Sequence, residues 1–178
     1  MDFKAAVNDY YRRQWLAMPL ALDAQGFPKR PIVPDWSHLT RASAVIRSLP
    51  WQGCAGLGIV LGPASDNLAV LDVDDVELGQ DIAALLIRGH VYTRMVQTVR
   101  KRLHVYFRED MPTKPMNITV SYKGRVVKVE LKAQGQQVAA PPTPGYQAWG
   151  KLDVVKSVPS LRDAWQSIAA KMGFAAPE

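Results

Sequence analysis

Leu68-Ala69-Val70-Leu71-Asp72-Val73-Asp74 alternates as a half-buried strand does: Ala69, Leu71 and Val73 point to one side, and Leu68, Val70, Asp72 and Asp74 to the other. Turn signals bound it, with Gly62-Pro63-Ala64-Ser65-Asp66-Asn67 before and Asp75 after. Asp75 is placed to cap a helix that begins near Val76, which leaves Asp72 and Asp74 without that role. Two later stretches repeat the pattern. In 102–108, Leu103, Val105 and Phe107 share one face, and Arg102, His104, Tyr106 and Arg108 the other. In 125–132, Val127, Val129 and Leu131 oppose Lys128, Glu130 and Lys132. If the three strands are neighbours, their ionisable faces merge into one.

The rest of the chain frames these strands. The spacing predicts an amphipathic helix over 3–18, an extended surface segment over 19–38, and a short helix capped by Thr40 and ended after Ser48 by Pro50. Leu57–Leu61 reads as a strand that forms a hairpin with Leu68–Val73. A helix follows over Val76–Arg88, with Gly89 as its stop, then strands over Tyr92–Val99 and Arg102–Arg108. Ile118–Tyr122 and Arg125–Lys132 flank a Lys123-Gly124 turn, and Gln136–Ala140 is a further strand. Leu161–Met172 closes the chain as a helix that buries Leu161, Trp165, Ile168 and Ala169. The fold class is α+β: a mostly antiparallel sheet with helices packed on one face and the other face open.

Composition narrows the chemistry. The 178 residues are 48% hydrophobic, which suits one globular domain over 1–178 and excludes a disordered chain. The single cysteine, Cys54, excludes an internal disulfide and a cysteine-based zinc site. No apolar run approaches bilayer length, and together with the lone thiol this points to the cytoplasm and to no membrane partner. The net charge of +6 permits an anionic partner without demanding one.

Taken singly, the ionisable residues have plain readings. An Asp-x-Asp at a strand end is commonly a solvated edge, and Glu130 between Lys128 and Lys132 fits a surface ion-pair ladder. Taken together, they set three carboxylates beside an imidazole and several cations. Like charges so close repel, and a hard divalent cation relieves that repulsion through carboxylate oxygens.

In chain order the motifs resemble the archaeo-eukaryotic primase superfamily, and within it the N-terminal domain of bifunctional DNA primase–polymerases. Lys29-Arg30-Pro31 with Asp35-Trp36 is similar to the family's lead-in. Gly58–Gly62 followed by Leu68–Asp74 resembles its first motif, and Leu103-His104-Val105-Tyr106-Phe107 its second. Val129-Glu130, Gly135 and Val138-Ala139-Ala140-Pro141-Pro142-Thr143 resemble its third, with Tyr146 and Trp149 fitting an aromatic hairpin beyond it. The likeness runs from about Lys29 to Trp149.

The resemblance implies an RRM-like catalytic core that extends or synthesises primers on a DNA template from dNTPs or NTPs in replication. It implies two divalent metals, Mg²⁺ or Mn²⁺, on Asp72, Asp74 and Glu130. It implies nucleotide contacts from His104, Arg102, Lys128, Lys132 and Thr143. A helicase or helical accessory domain in trans and a mobile-element setting belong to the same expectation. The rivals are a non-catalytic replication-initiation module on the same fold and a two-metal nuclease. Two features depart from the family's pattern: Arg100-Lys101-Arg102 stands where small residues are usual, and Glu130 where Asp is commoner.

Overall fold

The computed structural model describes residues 3–150 and 153–174. Its chain order is α1 (Lys4–Arg12), β1 (Leu16–Leu22), β2 (Pro28–Pro31), α2 (Ser43–Ser48), β3 (Gly56–Val60), β4 (Leu68–Val73) and α3 (Val76–Arg88). Then come β5 (Met95–Gln97), β6 (Leu103–Glu109), β7 (Met116–Tyr122), β8 (Arg125–Lys132), β9 (Gln137–Ala140), β10 (Gln147–Ala148), β11 (Lys156–Val158) and α4 (Leu161–Met172). This is a mixed α/β fold whose strand pairings are antiparallel except for β11 beside β6.

The strands form two sheets. The larger has the order β10-β5-β6-β4-β8-β7, with β11 joined to β6. The smaller has the order β2-β1-β3-β9. The alternation read from sequence sorts the larger sheet's faces. Ala69, Leu71, Val73, Leu103, Val105, Phe107, Val127, Val129 and Leu131 lie in one core with α3 and α4. Leu68, Val70 and Tyr106 point the other way, into a second core shared with the smaller sheet and α1.

That second core corrects the expected open face. Leu68, Val70 and Tyr106 on that face are buried in one apolar cluster with residues of the smaller sheet, among them Leu16, Met18, Leu57, Ile59 and Val138. The β3–β4 hairpin is corrected as well. The two segments lie in different sheets, joined by a single bridge between Gly62 and Leu68, and the chain crosses between sheets through a 3₁₀ turn at Pro63–Ser65. It crosses again between β8 and β9.

Local chemistry explains most element ends. Asp75 accepts a hydrogen bond from the Leu78 backbone N–H (2.8 Å), so α3 begins at the predicted cap and runs over the predicted span. Ser160 caps α4 through the Asp163 N–H, and the helix buries the predicted stripe. Lys123 and Gly124 both take positive φ and turn the β7–β8 hairpin as expected. The first helix is shorter than the spacing suggests. It stops at Arg12, Gln14 takes φ 64°, and Leu16 opens β1, with its N–H held by Ser65 Oγ at 2.8 Å. Leu16 thus belongs to the second core through a strand. Part of the expected surface segment over 19–38 is instead β1 and β2, with Leu20 fully buried. α2 starts at Ser43 with no side-chain cap, so Thr40 does not cap it. The Tyr92–Val99 strand contracts to Met95–Gln97.

Candidate active site

The two sheets diverge where β4, β6 and β8 carry their charged residues, and a cleft opens there. Register fixes its centre. Asp72 on β4 lies directly opposite His104 on β6 and, on its other side, opposite Glu130 on β8. Directly paired residues point to the same side of a sheet, so the three groups are neighbours by strand geometry alone. Asp72 is 8% exposed and His104 5%.

Cations hold the carboxylates. Lys132 Nζ lies 3.1 Å from Asp72 Oδ2 and 2.9 Å from Glu130 Oε2, bridging the two. Lys128 pairs with Glu130 on the solvent side. His104 Nε2 lies 3.4 Å from Asp72 Oδ1. Arg102 Nη1 donates to Asp74 Oδ1 at 2.7 Å. Burial works to raise the Asp72 pKa, but His104 and Lys132 outweigh it and hold the carboxyl well below the usual carboxylate range. Burial likewise acts against charge on Glu130 and Lys132. Lys128 and Lys132 nonetheless lower the Glu130 pKa, and Asp72 and Glu130 raise that of Lys132.

The cleft walls come from both sheets. Four cations, Lys29, Arg100, Arg102 and Lys132, line it together with Asp72 and Asp74. That excess of positive charge suits a polyanion. Tyr146 also lines it, its ring centroid 6.2 Å from that of His104, and burial pushes its phenol up to about 12, so the group is a neutral hydroxyl. Arg100 stacks over the Phe27 ring at 4.6 Å and donates to Gln25 Oε1 at 2.6 Å. These contacts tie the β5–β6 turn to the β1–β2 hairpin.

Of the residues singled out in the sequence, Asp72, Asp74, Arg102, His104 and Lys132 line the cleft, with Glu130 and Lys128 beside them on β8. Thr143 stands apart. It is 1% exposed, and its Oγ1 accepts from the Leu57 N–H (2.7 Å) and donates to the Leu57 carbonyl (3.0 Å). Pro141 and Pro142 lack the N–H that would extend β9 along β3, and the Thr143 hydroxyl supplies the missing donor and acceptor. Thr143, expected to contact nucleotide, has its hydroxyl engaged by Leu57 and does not line the cleft. Gly56 makes room for it, since a Cβ there would lie 2.6 Å from Thr143 Cγ2. Lys29, Arg100 and Tyr146 lie outside the predicted site, although the Lys29-Arg30-Pro31 lead-in and the basic run at 100–102 were signals for two of them.

The family model for the bifunctional DNA primase/polymerase N-terminal domain matches residues 7–163. The chain belongs to this family. None of the curated proteins compared with it matches. Membership gives the chain a primase/polymerase domain, a nucleotidyltransferase type of enzyme with DNA and nucleotides as substrates. No described helix is long and apolar enough to cross a membrane.

Such domains work with divalent metals, and the donors here match them in type: Asp72, Asp74 and Glu130 offer the hard carboxylate oxygens that Mg²⁺ and Mn²⁺ prefer. Their arrangement is a different matter. Among the described residues no three His, Cys, Asp or Glu side chains converge as a metal-binding group. Lys132 and Arg102 engage the carboxylates from the cleft side instead.

Proposed function

We propose that this domain adds nucleotides to a primer on a DNA template, with the chemistry centred on Asp72. The observation that carries the reading is the register that sets Asp72 between His104 and Glu130 beneath a cleft lined by four cations. Asp72, Asp74 and Glu130 would hold divalent metal. Bound there, the metal would activate the primer hydroxyl and neutralise charge on the departing pyrophosphate.

The chain's own residues do the rest. Lys29, Arg100, Arg102 and Lys132 bind the triphosphate by charge-assisted hydrogen bonds. His104, fixed by burial and by Asp72, donates to a phosphate oxygen from the cleft floor. Tyr146, a neutral phenol, lies beside it. The four strands β6-β4-β8-β7 with α3 and α4 on their far face are read as the RRM-like core. The smaller sheet is the added wall, and the whole of 1–178 is read as one catalytic domain. The net charge of +6 favours the template backbone.

A labelled primer–template incubated with Mg²⁺ or Mn²⁺ and each nucleotide type tests the reading. Longer products that depend on metal and template support it. Shortened products make the domain a nuclease, and binding without any change in length makes it a replication-initiation module.

A further inference from the structure

The four cations of the cleft are held in two different ways. Arg102 pairs with Asp74, and Lys132 with Asp72 and Glu130. Among the described residues Lys29 and Arg100 form no ion pair. Both lie over the ring of Phe27 instead, Arg100 at 4.6 Å from its centroid and Lys29 at 5.8 Å. An aromatic face attracts a cation without cancelling its charge, so these two keep theirs for an anionic ligand. Lys29 comes from β2 of the smaller sheet and Arg100 from the β5–β6 turn of the larger, so one ring gathers a cation from each. Both cations line the cleft, and Phe27 does not.

The support of that ring is built into the β1–β2 hairpin. Asp23 Oδ1 accepts from the Gln25 and Phe27 N–H groups at 2.9 Å each, and Gly26 takes φ 81°. These bonds, chiefly that from Phe27, hold the Asp23 pKa below its ordinary value, and Lys29 and Arg100 add to this from beyond ion-pair distance. Gln25 Oε1 accepts from Arg100 Nη2 at 2.6 Å, and a guanidinium has more donors than this one bond uses. Gln137 Nε2 from β9 donates to the Lys29 carbonyl at 2.9 Å and fixes its backbone.

We propose that Phe27, with Gln25, is a positioning residue for the polyphosphate of the incoming nucleotide, holding Arg100 and Lys29 on the cleft wall as a pair of cations without counter-ions. This rests on the primase–polymerase reading and adds to it. Arg100 and Lys29 touch the phosphates, and Phe27 acts only through them. The pair recognises phosphate charge, so it serves every base and either sugar alike.

The test is calorimetric binding of dATP and of inorganic tripolyphosphate to the full chain, with EDTA present so that metal plays no part. Arg100→Ala should weaken both ligands about tenfold, as expected for a charge-assisted phosphate contact. Phe27→Leu should weaken both about twofold to fivefold, the size of an exposed cation–π contact, and Phe27→Tyr should restore wild-type affinity. In an Arg100→Ala background the loss from Phe27→Leu should shrink to less than about twofold. Gln25→Ala, at the exposed hairpin tip, should weaken both ligands about twofold.

Wild-type affinity in both Phe27→Leu and Gln25→Ala, with Arg100→Ala weakened, overturns the positioning role and leaves the phosphate site standing. A loss in Phe27→Leu that is undiminished without Arg100 overturns it as well. A wild-type chain that binds neither dATP nor tripolyphosphate overturns the nucleotide-binding reading itself, and the positioning role with it.

Discussion

Two charge clusters lie along the inner face of β6, one residue pair apart. At Tyr106, Arg94 lies 5.7–5.8 Å from the centroids of the Tyr10, Trp15 and Tyr106 rings, with Asp153 Oδ1 2.5 Å from its Nη1. At His104, Asp72 meets an imidazole and a lysine beside an open cleft. The first cluster is built on aromatic faces that attract the buried Arg94, and its exposed counter-ion Asp153 is shared with Arg13, which itself lies over Trp15. The second is crowded with exchangeable partners, and Lys132 divides itself between two carboxylates. On the proposed function, the contrast separates a cation that joins two layers from charges that bind and react. If it holds, substitutions in the two clusters fail in opposite ways.

The largest expected effect is at Asp72. Asp72→Asn should lower single-turnover nucleotide incorporation on the order of a thousandfold or more. Its circular dichroism should stay native at neutral pH. Native-like incorporation would remove Asp72 from the chemistry.

Arg94→Ala should do the reverse. It should destabilise the fold by about 2–3 kcal/mol through lost cation–π contact and packing. Incorporation per folded molecule should stay within about twofold of wild type, since Arg94 does not line the cleft. Urea unfolding with matched extension assays checks both halves, and a large loss of activity in folded Arg94→Ala would merge the two clusters into one.

Thr143→Val tests a residue expected to contact nucleotide whose hydroxyl is engaged by the Leu57 backbone. Removing the hydroxyl strands the Leu57 N–H and carbonyl, so the cost should be about 1–3 kcal/mol of stability. Thr143→Ser should recover most of it, and nucleotide affinity should be unmoved in the serine variant. A raised nucleotide KM with normal stability would place Thr143 in the binding site.

Acid should separate the clusters too. The Asp72 pKa is depressed in the fold, so its contribution to stability is present above the ordinary value of 3.8 and is lost as pH falls below it. Asp72→Asn should flatten the acid limb of the stability profile in that range, measured by urea unfolding from neutral pH downward. The smallest effect belongs to Lys128, which is half-exposed and pairs with Glu130 from the solvent side. Lys128→Ala should change stability by less than about 1 kcal/mol.

The strand register of the candidate site was more legible in the sequence than the sheets around it. A period of two placed Asp72, His104 and Glu130 on matching faces, and β4, β6 and β8 proved to be neighbours, so the shared face followed. Val76–Arg88 and Leu161–Met172 were legible because Asp75 and Ser160 cap them by local chemistry. What was lost depends on contacts distant in sequence. Leu16 fits a helical spacing with Phe3 and Tyr10, yet it is buried in β1 against Val60. The partition of β3 and β4 into separate sheets comes from their partners, β1 and β9 on one side, β6 and β8 on the other. β10 and β11, with two and three residues, are too short to carry a pattern. The Thr143 contact was illegible for a related reason: its hydroxyl answers the Leu57 backbone, 86 residues away.

The most direct measurement is single-turnover incorporation of one nucleotide into a labelled primer–template with Mg²⁺ or Mn²⁺. Wild type, Asp72→Asn and Arg94→Ala would be compared at a temperature where all three are folded. The account predicts metal-dependent primer growth by wild type and Arg94→Ala and none by Asp72→Asn. Growth by folded Asp72→Asn at the wild-type rate, or no growth by wild type under any of these conditions, would contradict it.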